Sequence, residues 1–194
     1  MTTTILKILF LGGIASSFIS FDLPVGWGKA GSFPKSYDMG IALGEGENSK
    51  NAATIKSIDK EIDGFGTLMQ TCRPDRFVGK RVKLTASIRT ESVIDGASLW
   101  FRVDQCKSEE SLSFDNMGDR PVVGTTDWHK YEIVLDVPNN ASLLAYGVLL
   151  IGTGQVWFDN ISFDIVDETT PTTGSINGKK SAMKTEPVNL DFEK

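Results

Sequence analysis

Residues 81–89 read Arg-Val-Lys-Leu-Thr-Ala-Ser-Ile-Arg and carry the clearest strand signal in the chain. The apolar residues Val82, Leu84, Ala86 and Ile88 alternate there with charged and hydroxyl-bearing residues. An alternation with a period of two places apolar side chains on one face of a β-strand and polar side chains on the other. The segment is therefore predicted to be a strand with one face in a hydrophobic core.

Further strand signals follow on both sides of this segment, separated by Gly, Asn, Asp and Pro. Residues 98–104 and 131–137 repeat the alternation, whereas residues 143–151 are apolar on both faces, as in a central strand buried between layers. No segment has a helical period of useful length, so the short strands predict an all-β fold, an antiparallel β-sandwich. Weaker strand signals cover residues 52–58, 67–73 and 155–166.

The first twenty residues differ in composition from the rest of the chain. Lys7 precedes an apolar run over residues 8–19 that only small residues interrupt. This arrangement is typical of a secretory signal peptide, and the run is shorter than the roughly 20 apolar residues that cross a bilayer. We predict a signal peptide at residues 1–20 and a secreted protein, periplasmic or extracellular. The alternative is a buried N-terminal strand or helix, against which the lack of acidic residues before Asp22 argues.

The net charge of the chain limits the kinds of partner that it can bind. The 194 residues include 20 Lys and Arg and 25 Asp and Glu, a net charge of −5. Because phosphate binding needs a basic surface, we predict no nucleic-acid partner. No membrane span is predicted either.

The chain has two cysteines, Cys72 and Cys106. They would lie in an oxidising compartment, which permits a disulfide, but a core of this size does not require one. Their pairing stays open.

Three stretches of the chain resemble a known bacterial module. The module is a non-catalytic, galactose-binding-like jelly roll that occurs N-terminal to tail-specific serine peptidases and beside some transcriptional regulators, and it is similar to carbohydrate-binding modules. The resemblance covers residues 23–166, and Leu23-Pro-Val-Gly-Trp27 fits its opening. It implies a jelly-roll fold and an accessory role, without a defined ligand. The stretches are Leu112-Ser-Phe-Asp-Asn-Met-Gly-Asp-Arg-Pro121, Gly124-Thr-Thr-Asp-Trp-His-Lys-Tyr131 and Gly152-Thr-Gly-Gln-Val-Trp-Phe-Asp-Asn160.

The chain after Asp167 changes character. Threonine, glycine and proline without apolar periodicity indicate a flexible linker over residues 168–187, after a β-sandwich module over residues 21–167. The modules that this chain resembles open with an Asn-Leu-Asp-Phe-Glu-like strand, and a copy of that string ends the sequence. Residues 188–194 are therefore interpreted as the start of a following module, the alternative being a chance match.

Trp100 is the candidate for ligand stacking. The alternation places it on the polar face of its strand, with Arg102 and Asp104, whereas Trp128 and Trp157 are assigned to the core. A flat aromatic ring beside hydrogen-bonding groups suits sugar recognition, because the ring covers the C–H face while polar groups bond to hydroxyls. Alternatively, a loop covers this face and Trp100 is packed beneath it.

A polar loop between two strands supplies the second group of candidates. Loop residues at a strand end often serve binding, and this loop carries four polar side chains. The alternative is internal, with an Asp–Arg pair bracing the loop and an Asp or Asn capping a turn. The four candidates are Asp115, Asn116, Asp119 and Arg120.

Asp159 is the candidate metal ligand. By alternation it shares a face with Trp157 and Ile161, and a buried carboxylate needs a cation or several donors. In the carbohydrate-binding modules that this chain resembles, the equivalent acid helps to hold a structural Ca²⁺ with acidic residues of the opening strand. The resemblance thus implies a calcium site at Asp22 and Asp159. The alternative is that backbone N–H groups hold Asp159.

Catalytic signals are poor. His129 is the only histidine, and the chain has no nucleophile elbow, zinc-protease motif or phosphate-binding loop. Two carboxylates would suffice for a glycosidase, but no pattern places two of them in a cleft. We therefore predict a non-catalytic binding or accessory module that recognises a glycan, a cell-surface polymer or another polar ligand. The alternative is a purely structural domain that positions a partner, such as a downstream catalytic peptidase domain.

Overall fold

The computed structural model describes residues 20–48, 50–106, 108, 110–176 and 179–180. The predicted leader, apart from Ser20, and the predicted module start at residues 188–194 lie outside these ranges. No helix in the described ranges is long and apolar enough to cross a membrane. The strands are β1 (Gly28–Gly31), β2 (Tyr37–Ala42), β3 (Ala52–Ser57), β4 (Phe65–Cys72), β5 (Lys80–Asp104), β6 (Ser111–Asp115), β7 (Val122–Val137), β8 (Leu143–Ile151), β9 (Gln155–Val166), β10 (Ser175–Ile176) and β11 (Lys179–Lys180).

These strands form two stacked layers that share β5. Residues 80–91 of β5 belong to the layer β2–β3–β9–β5–β7, here called the β9 layer. Residues 96–104 belong to the layer β1–β4–β8–β5–β6, the β8 layer. Every pairing is antiparallel. The prediction of an antiparallel β-sandwich is confirmed.

The inner faces of the two layers meet in one hydrophobic core. All four apolar residues of segment 81–89 are fully buried in it, as their alternation predicts. From the second half of β5, Leu99, Phe101 and Val103 are equally buried. The ring of Phe101 meets that of Phe163 edge-on, with 5.6 Å between centroids. Strands whose apolar residues alternate thus bury one face and leave the other outside.

β5 changes layers through a series of bulges. Its register with β7 shifts between Ile88 and Thr90, between Thr90 and Val93, and between Val93 and Ala97. Ser92 adopts a left-handed backbone with φ of 52°, and Gly124 on β7 faces the same region with φ of 77°. Bulges bend a strand and increase its twist, which lets one strand serve two sheets.

β9 changes face at Asn160, whose φ is 53°. Before this point Phe158 lies in the main core, whereas Trp157 packs in a small cluster on the outer face with Ala42, Ala52 and Trp128. After it, Ile161 packs against the main core. The prediction that Trp157, Asp159 and Ile161 share one face is therefore wrong. Trp128, predicted to be core, also lies on this outer face.

The segment after β9 is attached to the sandwich. Arg81 Nη1 donates to the carbonyl oxygen of Thr170 at 2.7 Å. Val134 N–H donates to Thr173 Oγ1, and Thr173 N–H donates to the carbonyl of Val134, both at 2.9 Å. β10 then pairs with β6. Residues 168–176 thus cover the open edges of β7 and β6, so the flexible-linker prediction is wrong for them. The linker positions 177–178 and 181–187 lie outside the described residues.

The two cysteines are free thiols. Cys72 lies half-buried at the end of β4, and Cys106 is exposed just after β5. Burial raises the pKa of the Cys72 thiol, which keeps it protonated at neutral pH. The disulfide that the sequence leaves open is therefore not formed, and the core is built from apolar packing between the layers.

Candidate ligand-binding groove

The outer face of the β8 layer carries a groove with Trp100 in it, here called the Trp100 groove. Its cavity volume is about 340 Å³. Strands β4, β5, β6 and β8 each contribute side chains, because outward-facing residues of neighbouring antiparallel strands lie side by side. The residues that shape it are Phe65, Met69, Trp100, Arg102, Phe114, Asn116, Leu149 and Ile151.

Trp100 points away from the core, as predicted, but it is only 8% exposed. Its ring packs with Ala145 and Leu149, and Met69 covers it from β4. The indole Nε1 donates to Thr67 Oγ1 at 2.9 Å, and this hydroxyl donates in turn to the carbonyl of Val148 at 2.7 Å. Trp100 therefore forms a fixed part of the groove wall and is not an open stacking platform. The alternative prediction is that a loop covers Trp100. In the structure, residues of the neighbouring strands cover it instead.

Arg102 supplies the positive charge of the groove. Its side chain is 47% exposed, and Nε lies 2.9 Å from Asp104 Oδ2. Asp104, whose side chain is 17% exposed, thus orients Arg102 and does not itself line the groove. Asn116 is exposed at the same wall, and its Oδ1 accepts the N–H of Gly118 at 3.1 Å. The structure therefore brings Trp100, Arg102 and Asn116 together.

The rest of the polar loop forms an internal brace. Asp115 is buried, and its Oδ2 lies 2.6 Å from Arg120 Nη2. Its Oδ1 accepts the N–H of Met117 at 2.8 Å, which fixes the turn where Met117 has φ of 54°. Arg120 Nη1 also donates to Asp119 at 2.9 Å. Asp115, Asp119 and Arg120 thus pair with one another, as in the internal alternative, and none of the three lines the Trp100 groove.

Several residues that line the groove are not among the site residues predicted from the sequence. Phe65 and Ile151 face each other across β4 and β8 and remain 36% and 39% exposed. Leu149 and Met69 complete the apolar surface beside Trp100. The sequence signal that could have indicated this apolar surface is that residues 143–151 are apolar on both faces. Because no second layer of the described residues packs on the outer face of β8, its apolar residues either need a cover or serve as a binding surface.

The two proposed calcium ligands, Asp22 and Asp159, both make hydrogen bonds to the backbone. Asp22 is exposed, and its carbonyl oxygen accepts the N–H of Ile41 at 2.8 Å. Asp159 Oδ1 accepts the N–H of Asn160 at 2.7 Å. Across residues 20–48, 50–106 and 110–176, no three His, Cys, Asp or Glu side chains come together as metal ligands. Since Ca²⁺ takes six to eight oxygens, these two carboxylates supply only a small part of such a donor set.

Chelation is therefore expected to leave the melting temperature unchanged. A ligand that binds only the folded state raises stability by RT ln(1 + [L]/Kd), about 2.7 kcal/mol at a hundredfold excess over Kd. Circular-dichroism melts with excess calcium and with EDTA should coincide for the wild type and for Asp159→Asn. A melting temperature that falls with EDTA in the wild type only would restore Asp159 as a calcium ligand.

No family model matches the sequence. The chain is 44% identical over 170 residues to the "Uncharacterized HTH-type transcriptional regulator YbfP" of Bacillus subtilis strain 168, a match over 87% of this chain and 56% of that protein. The chain therefore spans about half the length of the curated relative that it matches. In that regulator, the matching part is joined to a further stretch of chain.

Solved structures show the fold. The CBM22-1 xylan-binding domain of Paenibacillus barcinonensis Xyn10C matches with a TM-score of 0.52 and 15% identity, over 74% of this chain and 88% of that one. The chain has the β-sandwich fold of this carbohydrate-binding module. A Stig cyclase from Fischerella sp. TAU, complexed with an indole ligand, matches with a TM-score of 0.53 and 16% identity, over 76% and 89%. The sandwich thus occurs in binding modules and in cyclases, so function depends on the site.

Proposed function

We propose that the chain is a non-catalytic module that binds a glycan in the Trp100 groove. The observation that carries this proposal is the grouping of Arg102 and Asn116 at one wall of an apolar groove. A sugar ring has a C–H face that packs on apolar and aromatic side chains, while its hydroxyls bond to charged and amide groups. The cavity of about 340 Å³ lies within the usual range for small-ligand sites, about 300–1,000 Å³.

The lining of the groove favours binding over catalysis. A glycosidase needs two carboxylates on opposite sides of the scissile bond. Asp104 forms an ion pair with Arg102, and the groove lining includes no aspartate or glutamate. His129 pairs with Ile88 in the β9 layer, on a strand that contributes nothing to the groove.

Replacing Arg102 or Asn116 with alanine should lower glycan affinity. A hydrogen bond to a charged group contributes about 1.5–3 kcal/mol, so we expect roughly a tenfold loss or more for Arg102→Ala. The smaller neutral contribution of Asn116 should give a loss of about two- to tenfold. Isothermal titration calorimetry with xylohexaose, cellohexaose, maltohexaose and chitotetraose measures both effects.

Arg73→Ala is the matched control for this experiment. Arg73 pairs with Asp75 two residues later, just as Arg102 pairs with Asp104, but it lies in the exposed segment after β4. This variant should bind every oligosaccharide as the wild type does. If no oligosaccharide binds, or if all three alanine variants lose affinity equally, the glycan proposal fails.

A second candidate function is a structural domain that positions a partner domain. The observation that favours it is the Bacillus subtilis relative, in which the matching part makes up 56% of a longer chain. The partner would be a peptidase or a regulatory domain, and a wild type that binds no glycan would favour this role. Export is also part of the proposal, on the strength of the leader-like residues 1–20. N-terminal sequencing of the exported protein, with cleavage after Ser17 or Ser20, tests it.

A further inference from the structure

A second cavity, of about 450 Å³, lies where β5 and β7 leave the β9 layer. It shares no lining residue with the Trp100 groove. Arg89 and the buried Trp157 line its inner part, and we call it the Arg89 cavity. Four exposed polar residues surround its opening: Glu91, Ser92, Thr125 and Asp127.

Arg89 is held between two aromatic rings. Its guanidinium carbon lies 4.2 Å from the ring centroid of Trp157 and 5.5 Å from that of Trp128. Nη2 is 2.8 Å from Glu45 Oε2, on the loop between β2 and β3. Cation–π contact on two sides and one ion pair fix the position of the charge. The guanidinium is therefore preorganised beside the cavity.

Two buried N–H donors next to this cavity lack acceptors. Arg89 Nε and Trp157 Nε1 are both inaccessible to solvent, and neither makes a hydrogen bond to any of the described residues. Native proteins keep few buried donors unpaired, because such groups have lost water without gaining a partner. Both side chains line the Arg89 cavity, so a small shift of either side chain would bring its N–H within reach of a ligand or water there.

Irregular backbone forms the walls of this cavity. Ser92 has φ of 52°, and Gly154 approaches it so closely that a Cβ on Gly154 would lie 2.8 Å from the carbonyl oxygen of Ser92. Ser92 N–H donates to Thr125 Oγ1 at 3.0 Å, which ties the two strands together. Bulges and strained backbone are over-represented beside functional sites. The corner is thus held in one shape by contacts around the cavity.

The charges around the cavity select the ligand class. The inner donors Arg89 Nε and Trp157 Nε1 lack acceptors, whereas the exposed carboxylates of Glu91 and Asp127 at the opening can accept hydrogen bonds from a ligand. An anion would meet these carboxylates and Glu45 beside a single arginine, and an ammonium group has no lone pair to offer the inner donors. Hydroxyl groups both donate and accept without net charge. We propose that the Arg89 cavity is a second binding site, for a neutral polyhydroxylated ligand such as an oligosaccharide.

The test uses a protein whose groove is disabled by Arg102→Ala and Asn116→Ala. The chain has four tryptophans, and single Trp→Phe variants assign their indole N–H resonances in ¹⁵N-HSQC spectra. The neutral oligosaccharides named above should shift the Trp157 indole resonance saturably in the disabled protein. Sodium phosphate and butylammonium chloride, as anionic and cationic probes, should leave that resonance unchanged.

Two exposed carboxylates provide variants that do not disturb the core. Glu91→Gln with Asp127→Asn keeps shape and removes charge, and we expect at least a fivefold loss of affinity, because a charged acceptor bonds more strongly to a hydroxyl. Glu132→Gln, an exposed glutamate further along β7, should leave affinity unchanged. Equal affinities in all three proteins would overturn the assignment of these carboxylates and with it the second site.

This experiment tests the two proposed binding sites independently of each other. If the Trp157 resonance stays fixed with every sugar while Trp100 responds in the wild type, the second site is excluded and the groove stands. If Trp157 responds and Trp100 does not, the groove proposal fails alone. A Trp157 shift with phosphate or butylammonium would overturn the neutral ligand class.

Discussion

Replacing Phe101 with alanine is expected to lower the free energy of unfolding by about 3–5 kcal/mol, the usual cost of removing a buried phenylalanine ring. Phe101 has no exposed surface and lies in the part of β5 that pairs with both β8 and β6. Its ring also contacts that of Phe163 at 5.6 Å, so the change leaves a cavity and breaks an aromatic pair. Domains of this kind have a total stability of about 5–15 kcal/mol, so about a fifth or more of it is at stake.

Urea unfolding followed by circular dichroism measures this effect. Phe33→Ala is the matched control, because Phe33 is 49% exposed and directly precedes the short 3-10 helix Pro34–Ser36, before β2. We expect it to change the free energy of unfolding by less than about 1 kcal/mol. Equal losses for Phe101→Ala and Phe33→Ala would contradict the placement of Phe101 at the centre of the core.

Replacing Arg120 with methionine is expected to cost about 3 kcal/mol, because it leaves the buried carboxylate of Asp115 without its cation. This value is at the low end for buried pairs, since the side chain of Arg120 is 36% exposed while that of Asp115 is 6% exposed. The remaining N–H donor in the described structure is Met117, which cannot compensate a full charge. Glycan affinity should fall as well, because Asn116 lies in the same loop.

A double variant separates lost charge pairing from lost packing. Asp115→Asn with Arg120→Met removes both charges, while the asparagine oxygen can still accept the N–H of Met117. Most of the lost stability should return, because replacing both partners is far less costly than orphaning one. Arg73→Met, which breaks an exposed pair, should change stability by about 0.5 kcal/mol or less. A double variant as unstable as Arg120→Met would refute this account of the brace.

Much of the fold can be predicted from the sequence, because burial of one strand face imposes a period of two. Segment 81–89 lies in the core as its pattern predicts, and Trp100 points outward as its alternation predicts. Prediction from this alternation fails where an irregular backbone conformation interrupts the period of two. The left-handed conformation of Asn160 reverses the faces of β9, and alternation alone cannot locate such a bulge.

The candidate site is harder to predict, because it depends on contacts between distant parts of the chain. Met69 covers Trp100 from β4, and the Arg89 cavity exists because Trp157 meets Arg89 across β9 and β5. Neither neighbour is visible from the spacing around Trp100 or Arg89. The Asp115–Arg120 brace is different, since both partners lie in one loop, and the sequence offered it as one of two alternatives.

The shared strand β5 also governs how fast the chain can fold. Neither layer is complete without β5, and some hydrogen bonds join residues that are more than 100 positions apart in the sequence. The bond from Thr54 to Val156 bridges 102 positions, and the bond from Tyr37 to Gly152 bridges 115. Long stretches of chain must lose conformational entropy before the contacts between their ends can form. β proteins with many such long-range contacts therefore fold in milliseconds to seconds. During that interval the strand edges that residues 168–176 finally cover stand open to other chains, and refolding yield should fall as protein concentration rises.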